Sequence, residues 1–185
     1  MSIASYKRRP DYFLAEFVTK KFEPTGLRGN ILLMGEDNGR NAEFLATNFL
    51  KRWKNPAFKV YVYDDFKDKY GKQRYQAFQS ITADSRDWIV HYTWGDFPLL
   101  LEEEFVLIIF LDFYTAPQVY SYAMQLWSTL SDTGYYYFLN YDDGDTMYVV
   151  NLNDHPREGI DRFFRDARGS AMDWGMKPFP YLQKE

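Results

Sequence analysis

The sequence predicts an open α/β fold, a mostly parallel sheet with helices on both faces. Three observations predict it. Short apolar runs alternate with helix-period stretches from residue 30 to residue 141. The first run, NILLM, passes through a glycine turn and a helix-period stretch into a second, FKVYVY, which makes a βαβ unit and hence a parallel pair. Turn-forming residues then close the runs: Gly35, Asp64 and Asp96 at or just beyond the first three, and Asp112 just beyond the fourth. In open α/β sheets such strand ends share one rim, where ligands bind.

The elements follow in order. Tyr12, Phe13, Phe17, Val18 and Phe22 predict a short amphipathic helix before the Pro24–Gly29 turn region. Lys7, Arg8 and Arg9 form a small basic cluster, read as part of a solvated arm. Ile31–Met34 is apolar throughout, as in a strand covered on both faces. Ala42, Leu45, Ala46, Phe49, Leu50 and Trp53 recur at helix spacing, and Asn55-Pro56 stops that helix. Phe58–Tyr63 is the second strand, and residues 66–82 form a helix with Tyr70, Tyr75 and Phe78 as contacts. Trp88–Tyr92 is the third strand, and Phe105–Leu111, the most apolar run, is the central one. Thr115 caps a helix with Pro117 in its first turn. Its inner face is Ala116, Val119, Tyr120, Ala123, Trp127 and Leu130. Tyr135–Tyr141 is a fifth strand. A DDGD turn at 142–145 then allows Met147–Leu152 to return antiparallel. Pro156–Arg168 is the last helix, with Ile160, Phe163, Phe164 and Ala167 inward. The expected organisation is an N-terminal helical arm (1–29), one α/β domain (30–168) and a proline-broken C-terminal tail (169–185).

Composition narrows the function. A chain of 185 residues has room for one domain with a real core. Cysteine is absent, which removes disulfides and thiolate nucleophiles and fits a reducing compartment. A net charge of −4 argues against a broad nucleic-acid footprint. No run is long and apolar enough to span a bilayer, and the N-terminus lacks the apolar centre of a signal peptide. The expected setting is the soluble interior of a cell, cytoplasmic, or a virion. Aromatic residues make up 20 % of the chain, with 16 Tyr and 16 Phe. Two readings stand: an aromatic core, or a contact surface for a protein partner or a second copy.

The stretch NILLMGEDNGRNAEFLA carries the strongest functional signal. Gly35 and Gly39 let a ligand approach the backbone closely, and the following helix offers N–H groups to an anion. An acid at the end of the second strand, Asp64, is placed for ribose hydroxyls. Asp96, after the third strand, is placed for an adenine amino group. The bland alternative for both acids is a strand-end turn residue. No Gly-Lys-Ser/Thr follows the loop, so a P-loop nucleotide hydrolase is disfavoured. His91 and His155 read as packing or capping residues, and two isolated histidines make no zinc site.

These motifs resemble those of class I S-adenosylmethionine-dependent methyltransferases, which have a Rossmann-like sheet. The nearer likeness is to the branch of catechol O-methyltransferase and small sugar or macrolide O-methyltransferases. NILLMGEDNGRNAEFLA is similar to the first motif, FKVYVYDDFKDKYG to the second, and WGDF to a Gly-Asp-Ser turn. FVLIIFLDFYTAPQVYSYAMQLWSTLSDTGYYYFLNYDD looks like the fourth strand, its helix and the fifth strand, and REGIDRFFRD resembles the later helix. The likeness covers roughly residues 28 to 168. It implies S-adenosylmethionine as cofactor, held by Gly35, Glu36, Gly39, Arg40, Asn41, Asp64 and Asp96. Against the family pattern, the C-terminal strands are expected to be truncated or rearranged.

The departures lie on the catalytic side. The first-motif Glu of the family is Leu33 here, and the helix Asp falls on Tyr122. The metal-side acids fall on Leu111 and on Leu139-Asn140, so no divalent metal is expected. Asp112, Tyr114 and Asp142, with Asp143, are the candidates for a base or orienting group. Two readings of function follow. One is a metal-independent methyltransferase acting on an unidentified small-molecule or macromolecular acceptor. The other is a methyltransferase fold kept as an inactive binding or structural subunit, in a complex or virion.

Overall fold

A computed structural model of the chain describes residues 10–36, 38–111, 115–141, 155–168 and 179–184. Six strands, β1 (Asn30–Met34), β2 (Val60–Tyr63), β3 (Ile89–Tyr92), β4 (Phe105–Phe110), β5 (Leu130–Phe138) and β6 (Tyr181–Gln183), form one mostly parallel sheet in the order β3-β2-β1-β4-β5-β6. The chain divides into two compact units, Met1–Pro98 and Leu99–Glu185.

In the first unit, β1 (Asn30–Met34), β2 (Val60–Tyr63) and β3 (Ile89–Tyr92) pair in parallel. Ile31 lies opposite Val60, and Val60 opposite Ile89. Every described residue of β2, and all of β1 after Asn30, is buried, as the unbroken apolar runs require. Helix α1 (Tyr12–Phe17) runs into a π-helical turn at Val18–Phe22. Leu14, Phe17, Val18 and Phe22 face the core. Tyr12 and Phe13, expected on that face, lie exposed in the first turn, directly after the capping Asp11.

Helix α2 (Arg40–Leu45) continues through a π turn, Ala46–Leu50, into α3 (Lys51–Trp53). Ala42, Leu45, Ala46, Phe49 and Leu50 are buried, as their spacing predicts. Trp53, the last expected residue of that stripe, is only partly covered. Helix α4 spans Gly71–Ile81, and α5 is a single turn, Phe97–Leu100. On α4 Phe78 is buried and Tyr75, though 37 % exposed, meets the rings of Phe66, Phe78 and His91 as expected, while Tyr70 is 58 % exposed. The reason is the start of the helix: it begins at Gly71, not Phe66, so Tyr70 precedes the first turn.

In the second unit, β4 (Phe105–Phe110) is buried at every position. It pairs in parallel with β5 (Leu130–Phe138). Helix α6 (Ala116–Leu126) opens with a capping box between Thr115 and Gln118 and carries Pro117 in its first turn, as the sequence predicts. Its buried face is Ala116, Val119, Ala123 and Leu126; Tyr120 and Trp127 are only partly covered, and Leu130 belongs to β5. Helix α7 (Pro156–Arg168) buries Ile160, Phe163 and Phe164. Gly159 sits where α7 meets α6, and a Cβ there would come 2.1 Å from the carbonyl oxygen of Ala116.

Strand β6 (Tyr181–Gln183) pairs antiparallel with β5, placing Leu182 opposite Tyr136. It comes from the stretch expected to be a proline-broken tail. The expected antiparallel return at 147–152 lies outside the described residues. The tyrosines of β5, Tyr135, Tyr136 and Tyr137, are buried, as is Tyr141 beyond it, and Tyr136 donates its hydroxyl to the carbonyl of Ala123 at 2.9 Å. They form core, so a contact surface built on them is corrected. No described helix is long and apolar enough to cross a membrane.

Candidate functional site

The rim of the first unit is built by the loop after β1. Gly35 (φ 90°) donates its N–H to the carbonyl of Tyr63 at 2.9 Å and so extends the β1–β2 ladder by one bond. Asn38 and Gly39 follow at φ 64° and 81°. Two successive left-handed residues turn the chain sharply, which is why an Asn-Gly pair stands there. Gly39 has a second reason: a Cβ would lie 3.0 Å from side-chain atoms of Phe78 and Thr82.

That turn folds Glu36 back under the loop. Its carboxylate accepts the backbone N–H groups of Ala42, at 3.0 Å, and of Asn41. It also accepts the side-chain amide of Asn41 at 3.3 Å. The Asn41 carbonyl in turn accepts the backbone N–H of Asp11 at 2.8 Å, which ties the N-terminal segment to the loop. Glu36 is 3 % exposed. Burial raises its pKa to about 7, against the pull of the Ala42 and Asn41 N–H groups, and the charge of Asp64 adds to the rise.

Asp64, one residue past β2, is the hub of the rim and is 5 % exposed. One carboxylate oxygen accepts the N–H of Glu36 at 3.2 Å and pairs with Arg74. The other accepts the N–H of Phe66 at 2.7 Å. Arg74 also donates to the carbonyl of Glu36 at 2.5 Å and pairs with Asp68. Its guanidinium lies 5.0 Å from the centre of the Phe66 ring. Phe66 adopts φ 49°, and a Cβ on Gly71 would fall 1.6 Å from its carbonyl oxygen. The loop 64–71 is therefore fixed by one acid, one left-handed residue and one obligatory glycine.

The predicted rim residues divide as follows. Glu36, Asn41 and Asp64 are joined in one hydrogen-bonded network with Arg74. Arg40 stands beside it, with Asn38, Tyr70, Gln73 and Arg74, around a cavity of about 560 Å³. Asp96 is engaged locally. It accepts the N–H and hydroxyl of Thr93, both at 2.8 Å, and those bonds hold its carboxyl below the ordinary range. That is the turn-capping role weighed beside the adenine role. Asp65 fastens the same corner by accepting the N–H of Trp94 at 3.2 Å.

Asp112, Tyr114 and Asp142, with Asp143, lie outside the described residues, and so does Asp37. In the second unit Asn140, two residues past β5, is fully buried, and neither atom of its amide makes a hydrogen bond among the described residues. His155 accepts the N–H of Arg157 at 3.1 Å and caps α7. His91 meets the carbonyl of Asp64 at 2.6 Å and packs on Phe66 and Phe78. Both histidines thus act as expected. Among the described residues no group of three His, Asp or Glu side chains is placed to hold a metal ion.

Arg74 and the Asp11 backbone carry no motif that marks them in the sequence. The partner of Asp64 is ten residues away and that of Asn41 thirty, and neither interval is a motif. The one available signal was physical: a buried acid at a strand end needs donors or a cation.

No protein-family model and no curated protein matches the sequence. Solved structures do. One is CalS11, a TDP-rhamnose 3'-O-methyltransferase of calicheamicin biosynthesis, with TM-score 0.63 and 14 % identity over 92 % of this chain and 77 % of that one. Another is the O-methyltransferase TomG from Streptomyces achromogenes, involved in tomaymycin synthesis, in complex with SAM. Its TM-score is 0.59, with 14 % identity over 98 % and 94 % of the two chains. A third is an O-methyltransferase from Bacillus cereus in complex with SAH, with TM-score 0.60 and 18 % identity over 93 % and 72 %. At these identities the likeness is one of fold. The chain has the class I methyltransferase fold.

Proposed function

We propose that the chain is an S-adenosylmethionine-dependent methyltransferase that works without a divalent metal. The rim of β1, β2 and β3 is its nucleoside site, and the acceptor is an unidentified small molecule or macromolecule. The observation that carries this reading is the junction of Glu36 and Asp64. A glycine-turned loop and a strand-end acid meet at 3.2 Å in the first unit, in a chain with the fold of SAM- and SAH-bound O-methyltransferases. Asp64 would face the ribose, Asp96 the adenine, and Gly35, Gly39, Arg40 and Asn41 would line the rest. The bound cofactor supplies an electrophilic methyl group. The chain's own residues position the acceptor and take its proton, with Asp112, Tyr114 and Asp142 as the proposed groups. The cysteine-free composition supports a setting inside a cell or virion.

A specific observation favours the second reading, an inactive methyltransferase fold used as a binding or structural subunit. Glu36 sits within the loop that would hold the cofactor and takes its donors for itself. Calorimetry with S-adenosylhomocysteine separates the two readings. Stoichiometric binding that Asp64→Asn weakens about tenfold or more supports the enzyme. Absence of binding up to millimolar ligand supports the subunit. If activity is found, EDTA should leave it intact; its loss would return a metal to the mechanism.

A further inference from the structure

Arg74 reaches the rim from a fixed base. The turn before α4 is set by Asp68, whose side chain accepts the N–H of Tyr70 at 2.8 Å and whose carbonyl accepts that of Gly71 at 2.9 Å. Gly71 lies so close to the Phe66 carbonyl that a Cβ would come within 1.6 Å of its oxygen. From the helix that starts there, the Arg74 guanidinium ties three places together. One nitrogen bonds Asp64, after β2, and the carbonyl of Glu36, after β1, the latter at 2.5 Å; the other bonds Asp68. The Phe66 ring lies 5.0 Å from it. A planar fork can serve acceptors in several directions from one side chain, which an ammonium group does less well.

For Asp64 this contact is more than a link. The residue is 5 % exposed and stands close to a second buried acid, Glu36. A charge so placed needs donors and a cation. The Phe66 N–H holds one carboxylate oxygen at 2.7 Å, while the Glu36 N–H, at 3.2 Å, and Arg74 hold the other. These contacts fix the direction of the acid, and Arg74 is the charged one among them. Its loss would release the Glu36 carbonyl at the same time.

We infer that Arg74 is a positioning residue of the nucleoside site. It aims the Asp64 carboxylate at the ribose hydroxyls and sets the spacing of the loops after β1 and β2. This role rests on the reading of the rim as an adenosyl site and deepens it. It acts on one part of the ligand, the ribose diol, and does so through Asp64.

The test is calorimetric titration of the full chain with S-adenosylhomocysteine and with its 2',3'-dideoxy form, repeated on Arg74→Met, Arg74→Lys and Asp64→Asn. The quantity read is the ratio of the two dissociation constants, which a general loosening of the fold leaves unchanged. Wild type should favour the ribose form by about tenfold or more, since a site built to bond a hydroxyl rejects a ligand that lacks it. Arg74→Met should bring the ratio close to one, and Asp64→Asn should lower it as well. Arg74→Lys keeps the charge without the fork and should fall between, and it decides the matter if the methionine variant fails to fold. The wild-type ratio kept in both Arg74 variants overturns the inference and leaves the adenosyl reading standing. Equal binding of the two ligands by wild type overturns it too, because Asp64 then reads no hydroxyl. Binding of neither ligand overturns the adenosyl reading, and the inference falls with it.

Discussion

Glu36 holds a carboxyl group that the folded chain keeps away from water and the unfolded chain does not. Its pKa rises from 4.5 to about 7 on folding. Between those values the folded protein binds a proton that the unfolded chain has released. Stability from this group is therefore greatest below the unfolded value and falls as pH rises to about 7, by on the order of 3 kcal/mol. Glu36→Gln should remove that slope. Melting temperatures at pH 5 and pH 8 check it: wild type should lose ground to the variant on going to pH 8, and an equal gap at both pH values would refute the assignment. Asn140 is the converse case, a buried amide without hydrogen bonds among the described residues. Asn140→Leu should stabilise the chain by about 1–2 kcal/mol in urea unfolding, because an unsatisfied polar group gives way to an apolar one. A destabilised variant would mean that the amide is satisfied in solution. At this scale the sequence marked Gly39 and Asp64 by backbone freedom and strand-end position, but not the neighbours they meet, Phe78 and Thr82 for Gly39 and Arg74 for Asp64. It did not disclose that Glu36 turns inward, because the donors that draw it there are ordinary backbone N–H groups brought close only by the left-handed turn.

Elements were legible where one residue class ran unbroken. Strands β1, β2 and β4 are buried almost throughout, and their apolar runs marked them. Strand β6 was not legible, since three residues after a proline carry no periodicity and only pairing with β5 makes them a strand. The tyrosine run of β5 was ambiguous by composition, and the hydroxyl of Tyr136, buried against Ala123, settles it as core. Tyr136→Phe should cost about 1 kcal/mol, read from the urea midpoint. A close approach of two elements gives a sharper test. Gly159→Ala would set a methyl group 2.1 Å from the Ala116 carbonyl and 2.6 Å from Val119. It should cost about 1–3 kcal/mol by forcing α6 and α7 apart, and an unchanged urea midpoint would contradict that packing.

At the scale of the whole molecule, fold and site behave differently. Alternating strands and helices, together with the glycine loop, were enough to predict the sheet, because topology follows from pattern and from right-handed connections. The site depends on which side chains meet across the rim, and there Arg74 and Asp11 enter from intervals no pattern marks. The proposed role of this rim is to hold an adenosyl cofactor. Its most direct test is calorimetric titration of the full chain with S-adenosylhomocysteine, beside Asp64→Asn. One site per chain is expected, with affinity at least about tenfold weaker in the variant. Silence up to millimolar ligand in wild type and in Glu36→Ala alike would contradict it, and would leave a methyltransferase fold retained for contacts alone.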